Sequence, residues 1–378
     1  MDFIISILSI IFILSIPVFL HELGHYMAAR SVGIRVEKFY VGMNLFGMGI
    51  KKVINGTEYG IGLFPLGGYV KVSGIIDESL DSEKSTSEPQ EHEFRSKNTF
   101  QKLWFLSAGV LMNFLLSIVI FTFLYFFNGS YELVEEPIIN SISETIEIPN
   151  PDGGDIETVL SPAAQLGLKK DDKILRIDGI DIKTWSDISI NLSNKADSII
   201  NIEWLTSNGY NKSSSVKLVG RPAFDGKKII NQGILGVMGN TIHREISFFE
   251  SFQIAVLNTG NIIVSSFYGF IGIISGNMPL EYVSGIVGIA GVASEQAKTG
   301  GLIALISLMA FISANLGLIN ILPIPGLDGG HALLSIIEGV IGRELPIKIK
   351  YTIQFIGIFL ILSLFIFAIF NDIRNIFN

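Results

Sequence analysis

Five uncharged apolar runs dominate this chain: Phe3 to Leu20, Leu103 to Phe127, Ser251 to Leu280, Thr299 to Leu327 and Tyr351 to Asn371. About 20 helical residues cross a ~30 Å hydrocarbon core, so each run is a candidate span. A chain built this way cannot fold around one water-excluding core. In hydrocarbon every backbone polar group must be satisfied within a helix or a closed barrel. Composition agrees, with only 16% charged residues and a mean hydropathy of +0.50. The first run resembles a signal peptide only in length. It lacks a basic leader and a small-x-small cleavage site, and it continues into His21-Glu22, so it is expected to stay as a helix.

Other classes fall away quickly. The net charge of -8, with no segregated basic patch, argues against nucleic acid as a partner. The chain has no Cys, which excludes disulfides, Cys-ligated zinc, iron–sulfur clusters and thiol catalysis. Two polar regions separate the runs. Arg30 to Lys102 ends in an acidic, Ser-rich loop over Asp77 to Lys97, and Asn128 to Glu250 reads as a small globular domain. No internal repeat is visible.

The sharpest chemical signal is His21-Glu22-Leu23-Gly24-His25 at the end of the first run. On a helix, positions i and i+4 share a face, so His21 and His25 can hold one Zn²⁺ with Glu22 beside them as a base. Three ionisable groups at the end of an apolar run are expensive, which points to function. The alternative is a buried polar cluster packed on another helix.

A catalytic zinc needs a third protein ligand and an open position. Asp328 is the best candidate. It follows Asn320-Ile-Leu-Pro-Ile-Pro-Gly-Leu, in which Pro323 and Pro325 break the helix and Gly326, Gly329 and Gly330 permit tight turns. Irregular backbone at membrane depth is tolerated where it lines a polar cavity. Asp328 as an ordinary helix cap is the bland alternative, and His331 is a nearby substitute ligand. His92 and His243 lie in polar segments and read as solvated residues.

Together, these motifs resemble the site-2 protease family of intramembrane zinc metalloproteases, most closely its bacterial RseP-type members. The resemblance is carried by His21-Glu22-x-x-His25, the Asn320 to Gly329 segment and Gly109-x-x-x-Asn113. It extends to Gly60 to Lys71, which matches the segment that forms a membrane-embedded β-hairpin in that family, and to Ser284 to Ile289, where Ile286 replaces the usual Pro. The resemblance implies zinc ligation by His21, His25 and Asp328, with Glu22 as general base. It places Asn113 and Asn320 near the site, Asn320 on the substrate backbone. The implied reaction is hydrolysis of a peptide bond in or beside a transmembrane segment of a membrane-tethered regulator or a remnant signal peptide. Physically, the substrate helix must unwind, and an edge strand at Ile61 to Phe64 or Tyr69 to Val72 can hold it extended. Gly62, Leu63 and Phe64 are therefore expected to bind substrate.

Leu160 to Ile182 reads as a short helix, a strand and an Asp-Gly turn. Ser161 and Pro162 open the helix and Gly167 closes it. This resembles one PDZ domain of the bacterial membrane-protease type, over residues 136–240. Such domains capture extended peptide ends by strand addition, at an edge expected near Pro137 to Ile142. The unusual Ile146 to Asp155 stretch that follows favours a size filter for substrate ectodomains equally well.

One metal shared by His21, His25 and Asp328 constrains topology. If Ser251 to Leu280 crossed the membrane, Asp328 would end on the wrong side. Its Asn, Ser and Gly content suits an interfacial helix instead. The expected fold is a multi-pass α-helical membrane protein with four transmembrane helices, a membrane-embedded β-hairpin and an inserted PDZ-like α+β domain. The expected order is a first span at residues 1–30, a cytoplasmic hairpin region and acidic loop at 31–101, and a second span at 102–128. The PDZ-like domain at 136–240 and an interfacial helix and linker at 247–298 follow. A third span at 299–328, a cytoplasmic segment at 329–350 and a fourth span at 351–372 complete the chain. Basic residues between the first two spans (Arg30, Arg35, Lys38, Lys51, Lys52, Lys71) place that segment in the cytoplasm of a bacterial inner membrane. The PDZ-like domain then faces the periplasm. The competing class is a membrane-anchored PDZ adaptor whose metal site is not catalytic.

Overall fold

A computed structural model describes residues 2–44, 49–75, 89–148, 157–224, 229–276 and 283–377. Most of the expected acidic loop, up to residue 88, lies outside the described residues, as does the part of the Pro-Gly-rich stretch from Pro149 to Asp155. In chain order the helices are α1 (Asp2–Ser31), α2 (Thr99–Asn128), α3 (Pro162–Leu166), α4 (Trp185–Ser193), α5 (Phe248–Ile274), α6 (Ile286–Thr299), α7 (Gly301–Ile321), α8 (Asp328–Ile341) and α9 (Ile347–Phe377). Among the described residues, five helices are long and apolar enough to cross a membrane: α1, α2, α5, α7 and α9. The chain forms two compact units, one of residues 1–126, 247–267 and 281–377, the other of residues 127–246 and 268–280.

In the first unit, small residues let the helices meet. A methyl group on Gly24 would collide with the Ala108 carbonyl, and one on Gly109 with the His21 and His25 rings. This antiparallel contact of α1 and α2 depends on two missing side chains. On the other flank of α2, α7 also runs antiparallel. Ser313 donates to the Asn113 carbonyl at 2.8 Å, and the Phe114 ring lies on Gly317.

The helix expected to lie at the interface packs lengthwise along the second half of α2. Phe248 meets Phe123 and Phe126, Ala255 joins the Phe121 cluster, and the Thr259 and Ser117 hydroxyls are 3.2 Å apart. Its small buried residues Ser251, Ala255 and Thr259 form an i, i+4 stripe that fits α2 closely.

Both α2 and α9 begin at Glu338 of α8, where Lys350 lies 2.6 Å and Lys102 3.9 Å from its carboxylate. From there α9 passes the Pro325 carbonyl, against which Gly357 leaves no room for a methyl group. About four turns later, roughly 22 Å at ~1.5 Å per residue, the buried Asp372 accepts from the backbone N–H groups of Gly285, Val287 and Gly288 at 2.9, 3.0 and 2.9 Å. Asn371 donates to the Val283 carbonyl at 2.8 Å. A carboxylate on the free N–H groups of α6 satisfies donors that its own turn cannot. The starts of α5 and α6 thus lie at one end of the bundle, where α2 and α9 finish.

The segment after α1 forms a four-stranded mixed sheet from β1 (Val36–Met43), β2 (Gly49–Ile54), β3 (Thr57–Gly62) and β4 (Phe64–Val72), in the order β2-β3-β1-β4. The hairpin expected over Gly60 to Lys71 is therefore not formed. Although β3 and β4 are consecutive, β1 lies between them, parallel to β3 and antiparallel to β4. The hairpin in this sheet is β2–β3, turned by Asn55-Gly56, both at positive φ (50° and 79°), as an Asn-Gly turn favours. Ile50, Val53 and Ile61 leave apolar side chains exposed on it. Tyr40 is buried and donates to Glu58 at 2.7 Å. Burial, then the Glu58 carboxylate, pushes its hydroxyl up to about 12, so it stays a donor.

The second unit folds around Ile139, Leu168, Ile174, Ile177, Ile200, Ile202, Trp204, Leu218 and Leu235. Its antiparallel sheet runs Ile180–Asp181, Lys173–Ile177, Ile199–Leu205, Asn211–Lys217. As expected, Ser161 caps α3 by accepting from Ala164 N–H at 3.0 Å, and Gly167 ends it at φ 68°. A capping box of Thr184 and Asp187 opens α4. The edge expected near Pro137 to Ile142 is not free. Strand Ile139–Ile142 pairs with Val237–Gly239, and the Ile139 N–H and carbonyl are taken by Asp172 and Asp171 on its other side.

Candidate active site

His21 and His25 lie one turn apart on the face of α1 that meets α2. Asp328, the first residue of α8, joins them across 303 positions of sequence. The three facing atoms form a near-equilateral triangle. His21 Nε2 to His25 Nε2 is 3.1 Å, and Asp328 Oδ2 lies 3.1 and 3.2 Å from them. Ligands held at ~2.0–2.1 Å around a tetrahedral zinc stand about 3.3 Å apart. Among the described residues this is the group of His, Asp and Glu side chains that could hold a metal ion. His331, the substitute ligand, is not part of it, and His243 instead binds the Asn128 carbonyl through Nε2 at 2.7 Å.

Each imidazole is oriented from behind. His25 Nδ1–H donates to the Phe105 carbonyl at 2.9 Å, leaving its Nε2 lone pair aimed into the triangle. His21 Nδ1 lies 3.1 Å from the Asn113 amide nitrogen, while the buried Asn113 Oδ1 has no partner. Turning that amide over sets its oxygen against His21 Nδ1–H and frees His21 Nε2 in the same sense. These backing groups hold both rings so that each Nε2 faces the triangle, the atom a divalent cation would take. Asn320 Nδ2 is 3.4 Å from His21 Nε2, at the rim of the triangle.

The break between α7 and α8 sets Asp328 in place. Gly326, at φ 95°, makes the turn. Gly329 and Gly330 were expected to make turns too, but they lie in the first turn of α8 and serve close packing. A methyl group on either would strike the carbonyls of Ile321 and Leu322 or of Ile324. Glu22 lies between the triangle and the sheet, near enough to His21, His25 and Asp328 for their charges to act on it. Its carboxylate accepts from the Val70 N–H, and a methyl group on Gly68 would touch its Cγ at 3.4 Å.

The sequence as a whole matches the model of Peptidase family M50 over residues 9–364. The chain belongs to that family, the site-2 proteases. Its relatives include three proteins, each named "Putative zinc metalloprotease". The one from Campylobacter jejuni is 32% identical, covering 98% of this chain and 94% of the relative. The one from Agrobacterium fabrum is 31% identical, with 98% and 96% covered. The one from Rickettsia conorii is 30% identical, with 99% and 100% covered. This M50 protein is a membrane metalloprotease, zinc is its metal, and the triangle suits a zinc ion.

Of the remaining expected substrate contacts, Gly62 is the last residue of β3 and pairs with Gly49 of β2, so the backbone at Ile61 and Gly62 is no free edge. Leu63 is exposed at the bend into β4, and the Phe64 side chain lies outside the described residues. The Phe105 carbonyl behind His25 escapes sequence reasoning, because a backbone group leaves no mark in residue identity.

Proposed function

We propose that this M50 protein cuts peptide bonds within or next to transmembrane segments, with His21, His25 and Asp328 holding zinc and Glu22 as general base. The convergence of those three side chains, on helices far apart in sequence, carries the reading. Zinc, when bound, supplies a Lewis acid for the scissile carbonyl and for the attacking water. Glu22 takes the proton of that water and returns it to the leaving amine. Asn113 positions His21, and Asn320 at the rim holds the substrate backbone. The substrate must be extended, because a helix hides its carbonyls. The edge of β4 that faces Glu22 at Val70 offers strand addition there, so a peptide laid along it passes the base.

Four full crossings fit one shared zinc, with α1, α2, α7 and α9 as the spans. On this reading α5 enters beside α2 and the chain returns to the same side before α6. The basic segment after α1 then faces the cytoplasm of a bacterial inner membrane, and the second unit faces the periplasm. That unit is PDZ-like and meets substrate ectodomains or peptide ends. The substrates are membrane-tethered regulators or remnant signal peptides.

The test compares wild type with Glu22→Gln on a model transmembrane substrate, with zinc content measured for both. Cleavage falls by about 10²–10⁴-fold while zinc is retained. Equal cleavage would remove Glu22 from the mechanism.

A further inference from the structure

The three groups of the triangle are not equally accessible. The His21 and His25 side chains are 9% and 7% exposed and the Asp328 side chain 21%, so the site opens on the Asp328 side. What lies there is a cleft of about 340 Å³ between α2 and α8. Its polar end is Asn320 and Asp328. Away from that end the walls are apolar apart from Ser107, with Leu106 and Val110 on α2 facing Ala332 and Ile336 on α8. Beyond Ile336, α2 and α8 are tied by the Lys102–Glu338 pair, with Lys350 on the same carboxylate. The cleft therefore runs from the proposed metal site along α2 and α8 toward that ion pair.

We infer that this cleft is the specificity pocket of the protease and takes one large apolar side chain next to the scissile bond. The inference rests on the reading of His21, His25 and Asp328 as the zinc site. The cleft is continuous with the exposed member of that site, so a peptide with its carbonyl at the metal must place a neighbouring side chain in it. Its volume sits at the small end of ligand pockets, ~300–1,000 Å³, which suits Leu or Phe and leaves Ala with unfilled space. A charged side chain would enter with no partner along the apolar walls and pay its full desolvation. Ala332, one turn along α8 from the Asp328 end, has the smallest side chain among the apolar lining residues and sets the depth.

The experiment uses the full chain in detergent with zinc. The probes are alanine–leucine model transmembrane segments carrying one Phe, Leu or Ala at successive positions, and cut sites are mapped by mass spectrometry. Wild type is expected to prefer Phe or Leu over Ala by at least about 10-fold in kcat/KM at one position flanking the cut, the discrimination that hydrophobic pockets provide. Ala332→Phe fills the cleft and lowers that Phe-to-Ala ratio by about 10-fold or more, while Ile336→Ala shifts preference toward larger residues. Zinc content shows that both variants keep the metal site. Wild-type cleavage without a flanking preference, or a ratio that neither variant moves, overturns the pocket alone. A wild-type protein that holds zinc and cuts none of the segments overturns the pocket and the protease reading together.

Discussion

The two units of this protein use opposite rules for their interiors. In the second, the centre is Ile139, Ile174, Ile177, Ile202 and Trp204, with polar residues outside, as water demands. In the first, the helices meet through Gly24, Gly109, Ala255, Ala310, Ser313 and Gly317, while large apolar residues such as Phe359, Leu360 and Phe365 point outward. Lipid gives apolar side chains no reason to prefer the inside, so close packing and a few hydrogen bonds hold the helices together. The lesson is that the candidate metal triangle sits where side chains are missing. Only because Gly109 has none can His21 and His25 turn toward α2.

The sharpest way to break the comparison is Gly109→Val. Its added carbons would occupy the space of both imidazoles, so zinc binding and cleavage are lost together, as metal analysis would show. A variant that still bound zinc would refute the packing argument. Next in size is Ile202→Ala in the other unit. A cavity at a fully buried site costs about 2–5 kcal/mol, read as faster hydrogen exchange in Lys173–Ile177 and Ile199–Leu205, with zinc retained. Loss of zinc there would mean that the two interiors are not independent. The smallest effect belongs to Thr259→Val, which removes the hydrogen bond to Ser117. Polar bonds between membrane helices average about 0.6 kcal/mol, so unfolding measured in bicelles shifts by about that much. A change several times larger would make polar contacts, rather than packing, the main glue.

Several features were legible in the sequence because their determinants are local. The apolar runs mark the long helices, i, i+4 spacing pairs His21 with His25, and Ser161, Pro162 and Gly167 bound α3. Asp328 was readable only because a broken helix at membrane depth is costly and the motif is distinctive. Non-local partners were not readable. The parallel pairing of β1 with β3 depends on tertiary placement, although Asn55-Gly56 announces the β2–β3 turn. The Asp372 contact to the start of α6 spans 84 to 87 positions, and nothing near Asp372 advertises it. The lengthwise packing of α5 was hidden because polar residues suited to an interface also suit a small-residue helix contact.

The separation of the proposed ligands has a consequence for biosynthesis. Asp328 follows His25 out of the ribosome by 303 residues. At ~5–20 residues per second that is a wait of about 15–60 s. During that wait a nascent chain carries two of the three proposed ligands and cannot close the metal site. Spacing the third proposed ligand 303 residues after the second thus delays proteolytic competence until both ligand elements have been made.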